Sequence, residues 1–318
     1  MTEKNLGKLV LIAVGGNSLI LDEQHKAIPD QYKAVAETSK HIAGLIKMGY
    51  RVIITHGNGP QVGFILRRSE LARHELHQVP LDSCGADTQG AIGYQIQMAL
   101  FNEMRSWPHR PTVATVVTQT LVDRDDPSFK KPSKPIGSFM SQELAQEHRE
   151  KSGWDVVEDA GRGWRRVVAS PLPKRILELD AILNLLAKGI IVVAAGGGGI
   201  PVVEREDGSI TGVAAVIDKD LASGLLAREA KADVFCISTA VEKVAIRFKK
   251  PDQKDLSEIT VAEAQRYMDE GHFAPGSMKP KIQAAVDFVK ASGGKALITD
   301  PPHIVDAFNG KTGTWIVP

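Results

Sequence analysis

Residues 9–18 read LVLIAVGGNS, and this stretch decides the fold. Six apolar residues run unbroken before the chain reaches Gly15, Gly16 and Asn17. A short apolar run that ends in glycines predicts a strand buried on both faces, with a turn at its carboxyl end. Such strands are typical of parallel sheets covered by helices on both sides. A ligand of such a sheet binds outside the carboxyl ends of the strands, so we expect the site there.

The same pattern recurs twice further along the chain. Residues 51–63 read RVIITHGNGPQVG, and residues 190–201 read IIVVAAGGGGIP. Glycines let backbone N–H groups approach an anion closely, so three such turns predict one electropositive floor of main-chain amides. The alternative is that these are ordinary corners between strands and helices.

The composition indicates a globular protein without a large nucleic-acid or membrane surface. The chain has 318 residues, of which 43% are hydrophobic and 24% charged, and 39 Lys and Arg oppose 38 Asp and Glu. This balance argues against a nucleic-acid footprint, and no run reaches the roughly 18 apolar residues of a membrane span. Cys84 and Cys236 give no disulfide framework and no metal spacing, which fits a reducing cytoplasm.

Alternating strand and helix patterns predict an α/β protein. A helix capped by Asp30 should follow the first turn and stop at Gly49. Residues 82–93 are polar and glycine-rich and should lead into a helix that carries Ile92 and Leu100 on one face. Further strands are expected at 51–55, 112–118, 190–194, 233–238, 244–248, 296–299 and 314–317.

Residues 123–166 differ from the rest of the chain. They are rich in charge and proline and contain no long apolar run. We expect a small excursion of helix and hairpin beside the site rather than a part of the core sheet. Asp123, Asp125 and Asp126 begin this segment, and we favour a solvated turn over a metal site because no further ligand spacing accompanies them.

Three lysines indicate which anion is bound. Lys134 lies in the excursion, Lys219 lies between Asp218 and Asp220 at a predicted helix start, and Lys281 lies at another. Phosphoryl transfer needs positive charge around anionic oxygens and little covalent help, which lysines from separate loops would supply. For each lysine alone a solvated surface charge is the alternative, and Asp218 alone could be an N-cap.

Other sequence signals are weaker. The pattern G-x-x-x-x-G-K-[ST] and the protein-kinase set are absent, and the turn at Gly57, Gly59 and Gly63 only approximates a dinucleotide fingerprint. His56 follows a strand, and we favour a structural role for it because transfer to an anionic acceptor needs no general base.

Nine motifs occur in order over nearly the whole chain. They are GGN at 15–17, THGNGPQVG at 55–63, QGAIGY at 89–94, VVTQTLVDRDDPSF at 116–129, KPSKPIG at 131–137, EDAGRGWRRVV at 158–168, GGGGIPV at 196–202, AVIDKDLAS at 215–223 and FAPGSMKPK at 273–281. Together they resemble those of the carbamate kinases, within the amino acid kinase superfamily. The resemblance implies an α/β fold, a three-layer αβα sandwich with a mainly parallel central sheet and a small protruding subdomain.

The resemblance also implies an organisation for the chain. Residues 1–318 would form a single amino-acid-kinase domain, with an N-terminal lobe over about 1–170 on the carbamate side. The C-terminal lobe, about 171–318, would hold the nucleotide, and the subdomain would span about 123–166. The implied partners are small-molecule substrates and a second copy of the chain in a homodimer, with no nucleic acid and no membrane.

Individual residues receive roles from the same resemblance. Lys134, Lys219 and Lys281 match the catalytic lysines, and Asp220 matches the aspartate that orients them. The usual first-strand lysine of the superfamily falls at Ala13, and carbamate kinases resemble one another in taking that charge from the subdomain. The implied carbamate-binding residues are Gly15, Gly16, Asn17, Gly57, Asn58 and Gly59. The implied nucleotide-binding residues are Gly196, Gly197, Gly198, Asp218, Ser238, Thr239, Ala240, Val244 and Met278.

The implied reaction is reversible transfer of a phosphoryl group between carbamoyl phosphate with ADP and carbamate with ATP. Mg²⁺ would enter with the nucleotide, and no metal site of the protein's own is expected. Three alternatives stay open: a superfamily kinase with another small acceptor, a non-catalytic sensor of nucleotide or carbamoyl phosphate, and a dinucleotide oxidoreductase. The missing first-strand lysine argues against the first, and the three lysines with Asp220 argue against the second.

Overall fold

The computed structural model describes residues 7–15, 19, 24–158 and 163–318. The strands are β1 (Leu9–Val14), β2 (Arg51–His56), β3 (Val113–Thr115), β4 (Gln119–Val122), β5 (Lys134–Met140), β6 (Asp155–Glu158), β7 (Trp164–Val168), β8 (Pro173–Ile176), β9 (Ile191–Val193), β10 (Ile200–Glu204), β11 (Ile210–Gly212), β12 (Val234–Ser238), β13 (Ala245–Ile246), β14 (Lys254–Asp255), β15 (Glu258–Thr260), β16 (Lys295–Thr299) and β17 (Thr314–Val317). The helices are α1 (Ile28–Lys47), α2 (Gly59–Leu71), α3 (Leu81–Glu103), α4 (Pro127–Lys130), α5 (Gln142–Ser152), α6 (Leu179–Ala187), α7 (Lys219–Glu229), α8 (Val261–Asp269), α9 (Met278–Ser292) and α10 (Ile304–Phe308).

A mainly parallel sheet of eight strands forms the centre, in the order β15-β17-β16-β12-β1-β2-β9-β3. The six strands from β16 to β3 all run parallel to one another. Strand β17 pairs antiparallel with β16, and β15 pairs parallel with β17. Parallel neighbours bring their carboxyl ends to one edge of the sheet, which places the glycine turns after β1, β2 and β9 together.

The two faces of the central sheet are both buried. Leu11 and Ala13 of β1 enter one apolar core, and Ile12 and Val14 enter the other. Helices α6, α7, α8 and α9 contribute to the first core, and α1, α3 and α10 contribute to the second. Side chains of successive strand residues point to opposite faces, so an unbroken apolar run requires helices on both sides. The predicted αβα sandwich is confirmed.

Helix α1 begins earlier than the sequence analysis expected. Ala27 occupies the N-cap position, without a side-chain hydrogen bond, and Asp30 lies in the first turn, paired with Lys33 at 3.2 Å. The prediction that Asp30 caps this helix is therefore wrong. Its carboxylate still lies at the positive end of the helix dipole. The predicted stop is confirmed, because Gly49 follows the helix with a φ of +91°.

Helix α3 contains the whole polar and glycine-rich stretch at 82–93. The expectation that the helix starts only after this stretch is wrong, since α3 begins at Leu81. Its glycine at 93 permits close packing on β3, because a Cβ there would lie 2.4 Å from Thr115 Cγ2. Thr88 and Gln89 on the same helix are buried and hydrogen-bonded. These tertiary contacts outweigh the low helix propensity of the stretch.

Two predicted strands are shorter than expected. Residues 112–118 give only β3, an edge strand whose three residues are half-buried. Residues 244–248 give only β13, which pairs with β14 outside the central sheet. Arg247 has a φ of +53°, a left-handed conformation that a regular strand cannot continue through.

The excursion is a small separate sheet in the order β5-β7-β6, accompanied by α5. Ser141 caps α5 by accepting a hydrogen bond from the Leu144 N–H, and Gly153 ends it with a φ of +64°. Residues 159–162 lie outside the described residues. This unit faces α2, and its first strand begins at Lys134. The fold therefore delivers that lysine to the edge where the glycine turns meet.

Candidate active site

An open cleft of about 470 Å³ lies at the carboxyl edge of the central sheet. The N-terminal residues of α2, α7 and α9 all line it. Helix N-termini carry unpaired N–H groups and partial positive charge, so this edge suits an anion. The predicted site residues that line it are Gly15, Gly57, Asn58, Gly59, Lys134, Gly197, Asp218, Lys219, Asp220, Thr239, Ala240 and Lys281. Gly16 and Asn17 lie outside the described residues.

Asp220 lies between two of the predicted lysines. Its Oδ1 is 2.8 Å from Lys219 Nζ, and its Oδ2 is 2.7 Å from Lys281 Nζ. Burial alone would raise the pKa of the Asp220 carboxyl, but the two ammonium groups outweigh it and hold the pKa at about 2. The carboxylate is therefore ionised at neutral pH and fixes both cations beside the cleft.

Lys219 combines burial with uncommitted donors. Burial lowers the pKa of its ammonium, and the attraction of Asp220 opposes that shift. Its contact with Asp220 has the distance of an ion pair but not the angles of a hydrogen bond. An ammonium carries three N–H donors, and Asp220 is the one anionic partner of Lys219 Nζ within contact distance among the described residues, so donors remain for a ligand oxygen.

Lys134 reaches the same place from the small sheet. Its Nζ donates to Asp218 Oδ2 at 3.1 Å. The other oxygen of Asp218 caps α7 by accepting hydrogen bonds from the N–H groups of Asp220 and Leu221. Asp218 is thus the N-cap that the alternative interpretation expected, and it also binds a lysine from a separate unit. Three lysines that are distant in sequence converge around two carboxylates.

Main-chain amides contribute less to the cleft than expected. The Gly15 N–H donates to Ser238 O at 3.0 Å, and the Gly57 N–H donates to Val14 O at 3.0 Å. The prediction that these two amides hold an anion is therefore wrong, because both donors are already used. Gly59 lies in the first turn of α2, where N–H groups have no partner within the helix. Among the described residues, Lys134, Lys219 and Lys281 bring positive charge to this edge.

The side chains of His56 and Asn58 pack against the turn at residues 195–199. Gly197 lines the cleft with a φ of +68°, and a Cβ there would lie 2.1 Å from Asn58 Nδ2. A Cβ on Gly196 would lie 2.3 Å from His56 Nε2, so this residue is buried against the imidazole. Gly198 is likewise buried within the turn. Of these three glycines, only Gly197 faces the open cleft.

A second cleft of about 440 Å³ adjoins the first and shares Thr239, Ser277 and Lys281 with it. Met278 lines this second cleft, as predicted for a nucleotide-binding residue. The remaining lining residues, which include apolar and cationic side chains, were not predicted from the sequence. They are Val241, Lys243, Ala245, Arg247, Phe248, Lys250, Gly271, His272, Phe273 and Ala274. The lysines and arginine of residues 241–250, VEKVAIRFKK, were the sequence signal that could have indicated this cleft.

Four of the predicted nucleotide residues line neither cleft, namely Gly196, Gly198, Ser238 and Val244. The Val244 side chain is fully buried in the apolar core, and its N–H donates to Thr314 Oγ1 at 2.8 Å. Ser238 is also fully buried, and its carbonyl accepts the Gly15 hydrogen bond. Ser238 is the last residue of β12 in the central sheet, and Val244 lies in the loop just before β13. The side chains of Ser238 and Val244 therefore reach neither cleft, and their nucleotide-binding role stays a prediction.

His56 is buried and neutral. Its Nδ1 lies 2.9 Å from Gly57 O, a contact that fits a donated hydrogen bond. Burial lowers the pKa of this imidazole to about 4. A histidine that is uncharged at neutral pH and wedged under the glycine turn agrees with the structural role expected for it.

The described residues contain no cluster of three or more His, Cys, Asp or Glu side chains that could hold a metal. Asp123 pairs with Lys174 at 2.5 Å, and Asp126 caps α4 by accepting from the Ser128 N–H. Within the same described part of the chain, no helix has the length and apolarity needed to cross a membrane.

Comparison with known proteins places these features in a family. The model of the amino acid kinase family matches residues 8–300. A carbamate kinase of Thermococcus kodakarensis is 50% identical over 313 residues, which cover 98% of this chain and 99% of that protein. The carbamate kinase-like protein YahI of Escherichia coli is 49% identical with the same coverage. The structure of carbamate kinase from Giardia lamblia bound to AMP-PNP is 42% identical, with a TM-score of 0.92 over 98% of each chain. The chain therefore belongs to the amino acid kinase family, within its carbamate kinase branch.

Proposed function

We propose that this protein is a carbamate kinase that transfers a phosphoryl group between carbamoyl phosphate with ADP and carbamate with ATP. The observation that carries the proposal is Asp220, which holds Lys219 and Lys281 at 2.8 and 2.7 Å beside a cleft that Lys134 also reaches. Phosphoryl transfer depends on such positive charge around the equatorial oxygens of the moving group. The names of the full-length relatives support carbamate as the acceptor.

The step requires no proton transfer. A β-phosphate oxygen of ADP attacks the phosphorus of carbamoyl phosphate, and the bond from phosphorus to the carbamate oxygen breaks. Carbamate leaves as an anion, so the total charge of products equals that of reactants without a general base. The lysines therefore act by position and charge: Lys219 contacts the transferring oxygens, Lys134 approaches from the small sheet, and Lys281 steadies the nucleotide phosphates.

The nucleotide would occupy the second cleft. Its apolar wall, which includes Phe273 and Met278, suits a base, and the shared Lys281 lies where the phosphates would enter the first cleft. Mg²⁺ would arrive as part of the nucleotide substrate, bound to phosphate oxygens. Asp218 would offer that ion a carboxylate oxygen, a ligand type that Mg²⁺ prefers.

The predicted organisation follows from this placement. We propose a single domain over residues 1–318 with a carbamate side over about 1–170 and a nucleotide side over about 171–318. The small unit at about 123–166 would cover the carbamate and bring Lys134 to it. Gly57, Asn58 and Gly59, which line the first cleft, would contact carbamate.

We also propose a homodimer built on the exposed face of α3. Tyr94 and Phe101 are exposed to 61% and 51%, and the Arg110 guanidinium lies 3.8 Å from the Phe101 ring centroid. With Met98 they line a shallow depression of about 410 Å³ next to the edge strand β3. A contiguous exposed apolar patch marks an interaction surface. A two-fold partner would cover the same patch on both copies.

A cytoplasmic location fits the cysteines. Cys84 and Cys236 are both free and buried, and burial raises the pKa of the Cys236 thiol to about 12. Free thiols without a disulfide framework are usual in a reducing compartment. ATP and ADP are available there.

The direct test mixes the protein with Mg²⁺, ADP and carbamoyl phosphate and follows ATP by luminescence. We expect ATP formation with carbamoyl phosphate and none above background with acetyl phosphate, which is the matched phosphoryl donor. Absence of ATP with a folded protein would refute the proposed reaction. Equal activity with acetyl phosphate would refute carbamate as the preferred acceptor.

A further inference from the structure

Gln89 connects helix α3 to the turn at 195–199 and to the segment before β4, which the Ile200 N–H also joins by donating to Thr118 O at 2.9 Å. It lies on α3 and is 1% exposed. Its Nε2 donates to Thr118 O at 3.1 Å and to Gly196 O at 3.0 Å, and its Oε1 accepts from the Thr118 N–H at 2.7 Å. Both amide protons and the amide oxygen are thus used on the main chain of the turn and of the segment before β4.

Thr118 also binds Ala195, the residue before Gly196. Its Oγ1 accepts from the Ala195 N–H at 2.9 Å and donates to Val116 O at 2.7 Å. Ala195 has a φ of +49°, which an alanine adopts only when its surroundings hold it there. Gln89 and Thr118 together therefore fix both Ala195 and Gly196, the two residues that enter the turn.

The residue before Gln89 holds Asn58, which packs against the same turn. Thr88 Oγ1 accepts from Asn58 Nδ2 at 2.9 Å, and Asn58 is the side chain packed against Gly197. One turn of α3 thus sets the HGNG turn through Thr88 and the four-glycine turn through Gln89. Asn58 and Gly197 both line the cleft that contains Lys219.

We propose that Gln89 is a positioning residue for phosphoryl transfer, which sets the turn at 195–199 against Asn58 and Lys219 through hydrogen bonds to Thr118 and Gly196. The proposal rests on the proposed function, because it assigns the moving phosphoryl group to this cleft. Gln89 itself does not line the cleft and acts through the turn. A purely structural role in core packing is the alternative.

Gln89→Met tests the proposal because it keeps the length of the side chain and removes all three hydrogen bonds. We expect kcat to fall by about 10- to 100-fold, since a displacement of about 1 Å at a reacting centre has an effect of that order. The KM for ADP should stay within about twofold, because Gln89 makes no contact with the residues of the second cleft. Gln89→Glu should lower kcat by the same factor, since a carboxylate cannot donate to the two carbonyl oxygens.

Gln97→Met is the matched control on the same helix. Gln97 donates to Val113 O at 3.1 Å and accepts from Thr115 Oγ1 at 2.6 Å, so it also holds a neighbouring strand but does not touch the turn. We expect a comparable loss of Tm with kcat within about twofold of the parent protein. If Gln89→Met and Gln97→Met lower Tm alike and both retain kcat, Gln89 only packs the core and the proposal is overturned.

Thr118→Val keeps the test decisive should Gln89→Met fail to fold. It preserves shape and removes the Oγ1 that holds the Ala195 N–H. We expect a lower kcat with an unchanged KM for ADP, and a parental kcat in the folded variant would overturn the proposal. Failure of the proposed function is distinguishable, because the parent protein would then make no ATP from carbamoyl phosphate.

Discussion

Lys281 Nζ lies 2.7 Å from Asp220 Oδ2 and thereby joins the first turn of α9 to the first turn of α7. The same carboxylate holds Lys219 on its other oxygen, so one buried acid fixes two cations from helices that are far apart in sequence. A buried charge is tolerated only when it is paired, which makes this cluster mutually dependent.

Asp220→Asn should keep the shape of the side chain and lower kcat by about 10²-fold, an effect typical of losing one electrostatic contact at a reacting centre. The amide no longer neutralises Lys219 and Lys281, so the two ammonium groups repel each other and lose their fixed positions. Steady-state kinetics with carbamoyl phosphate and ADP measures the loss. Asp306→Asn, which breaks the exposed ion pair with Lys311, is the control and should leave kcat unchanged.

Lys134→Ala should reduce kcat by about 10²- to 10³-fold while the central fold stays intact, because the small sheet would no longer bring a charge to the cleft. The readouts are the initial rate of ATP formation and the far-UV circular dichroism spectrum. Lys131→Ala removes an exposed lysine three residues away and should have no effect on the rate. An unchanged rate for Lys134→Ala would mean that its contact with Asp218 serves only the α7 cap.

His56 should make the stability depend on pH between about 6.5 and 4. The folded state keeps its pKa at about 4, whereas the unfolded state has the ordinary value of 6.5, so the unfolded state takes up the proton first as the pH falls. The free energy of unfolding keeps its full value above pH 6.5. It falls as the pH drops below 6.5, by about 3 kcal/mol near pH 4. Urea unfolding of the parent protein and His56→Gln measures it, and the variant should show a flatter pH dependence. Parallel pH profiles for the two proteins would contradict a buried neutral histidine.

Phe101→Asp should convert a dimer into a monomer, because it places a charge in the apolar patch on α3. Sedimentation or light scattering over a range of protein concentrations measures the change in mass. Ile28→Asp is the matched control, since Ile28 is exposed to 65% and an acid is well tolerated at the first position of a helix. A parental mass that matches one chain, or a dimeric Phe101→Asp, would refute this interface.

The central fold could be predicted from sequence because its signals are local. The apolar run of β1 and the helix stop at Gly49 depend on neighbouring residues, and both are confirmed. Helix α3 could not be predicted at 82–93, because its helicity comes from contacts with β3 and with the turns beside the cleft. Periodicity within the stretch carries no record of those distant partners.

The lysines of the site were predictable, and the geometry around them was not. Residue type and position at helix starts singled out Lys219 and Lys281, which the fold brings to one carboxylate. The sequence could not reveal that the N–H groups of Gly15 and Gly57 are consumed by neighbouring strands. Hydrogen-bond partners of a backbone group are set by strand order, which a glycine turn alone does not specify.

Turnover by Lys219→Ala tests the central claim most directly, because Lys219 is the buried cation with uncommitted donors at the cleft. We predict that ATP formation from carbamoyl phosphate and ADP falls by about 10²- to 10³-fold in a variant that retains the parental circular dichroism spectrum. Lys311→Ala, at an exposed ion pair, should retain full turnover. A folded Lys219→Ala protein with parental kcat would contradict the account.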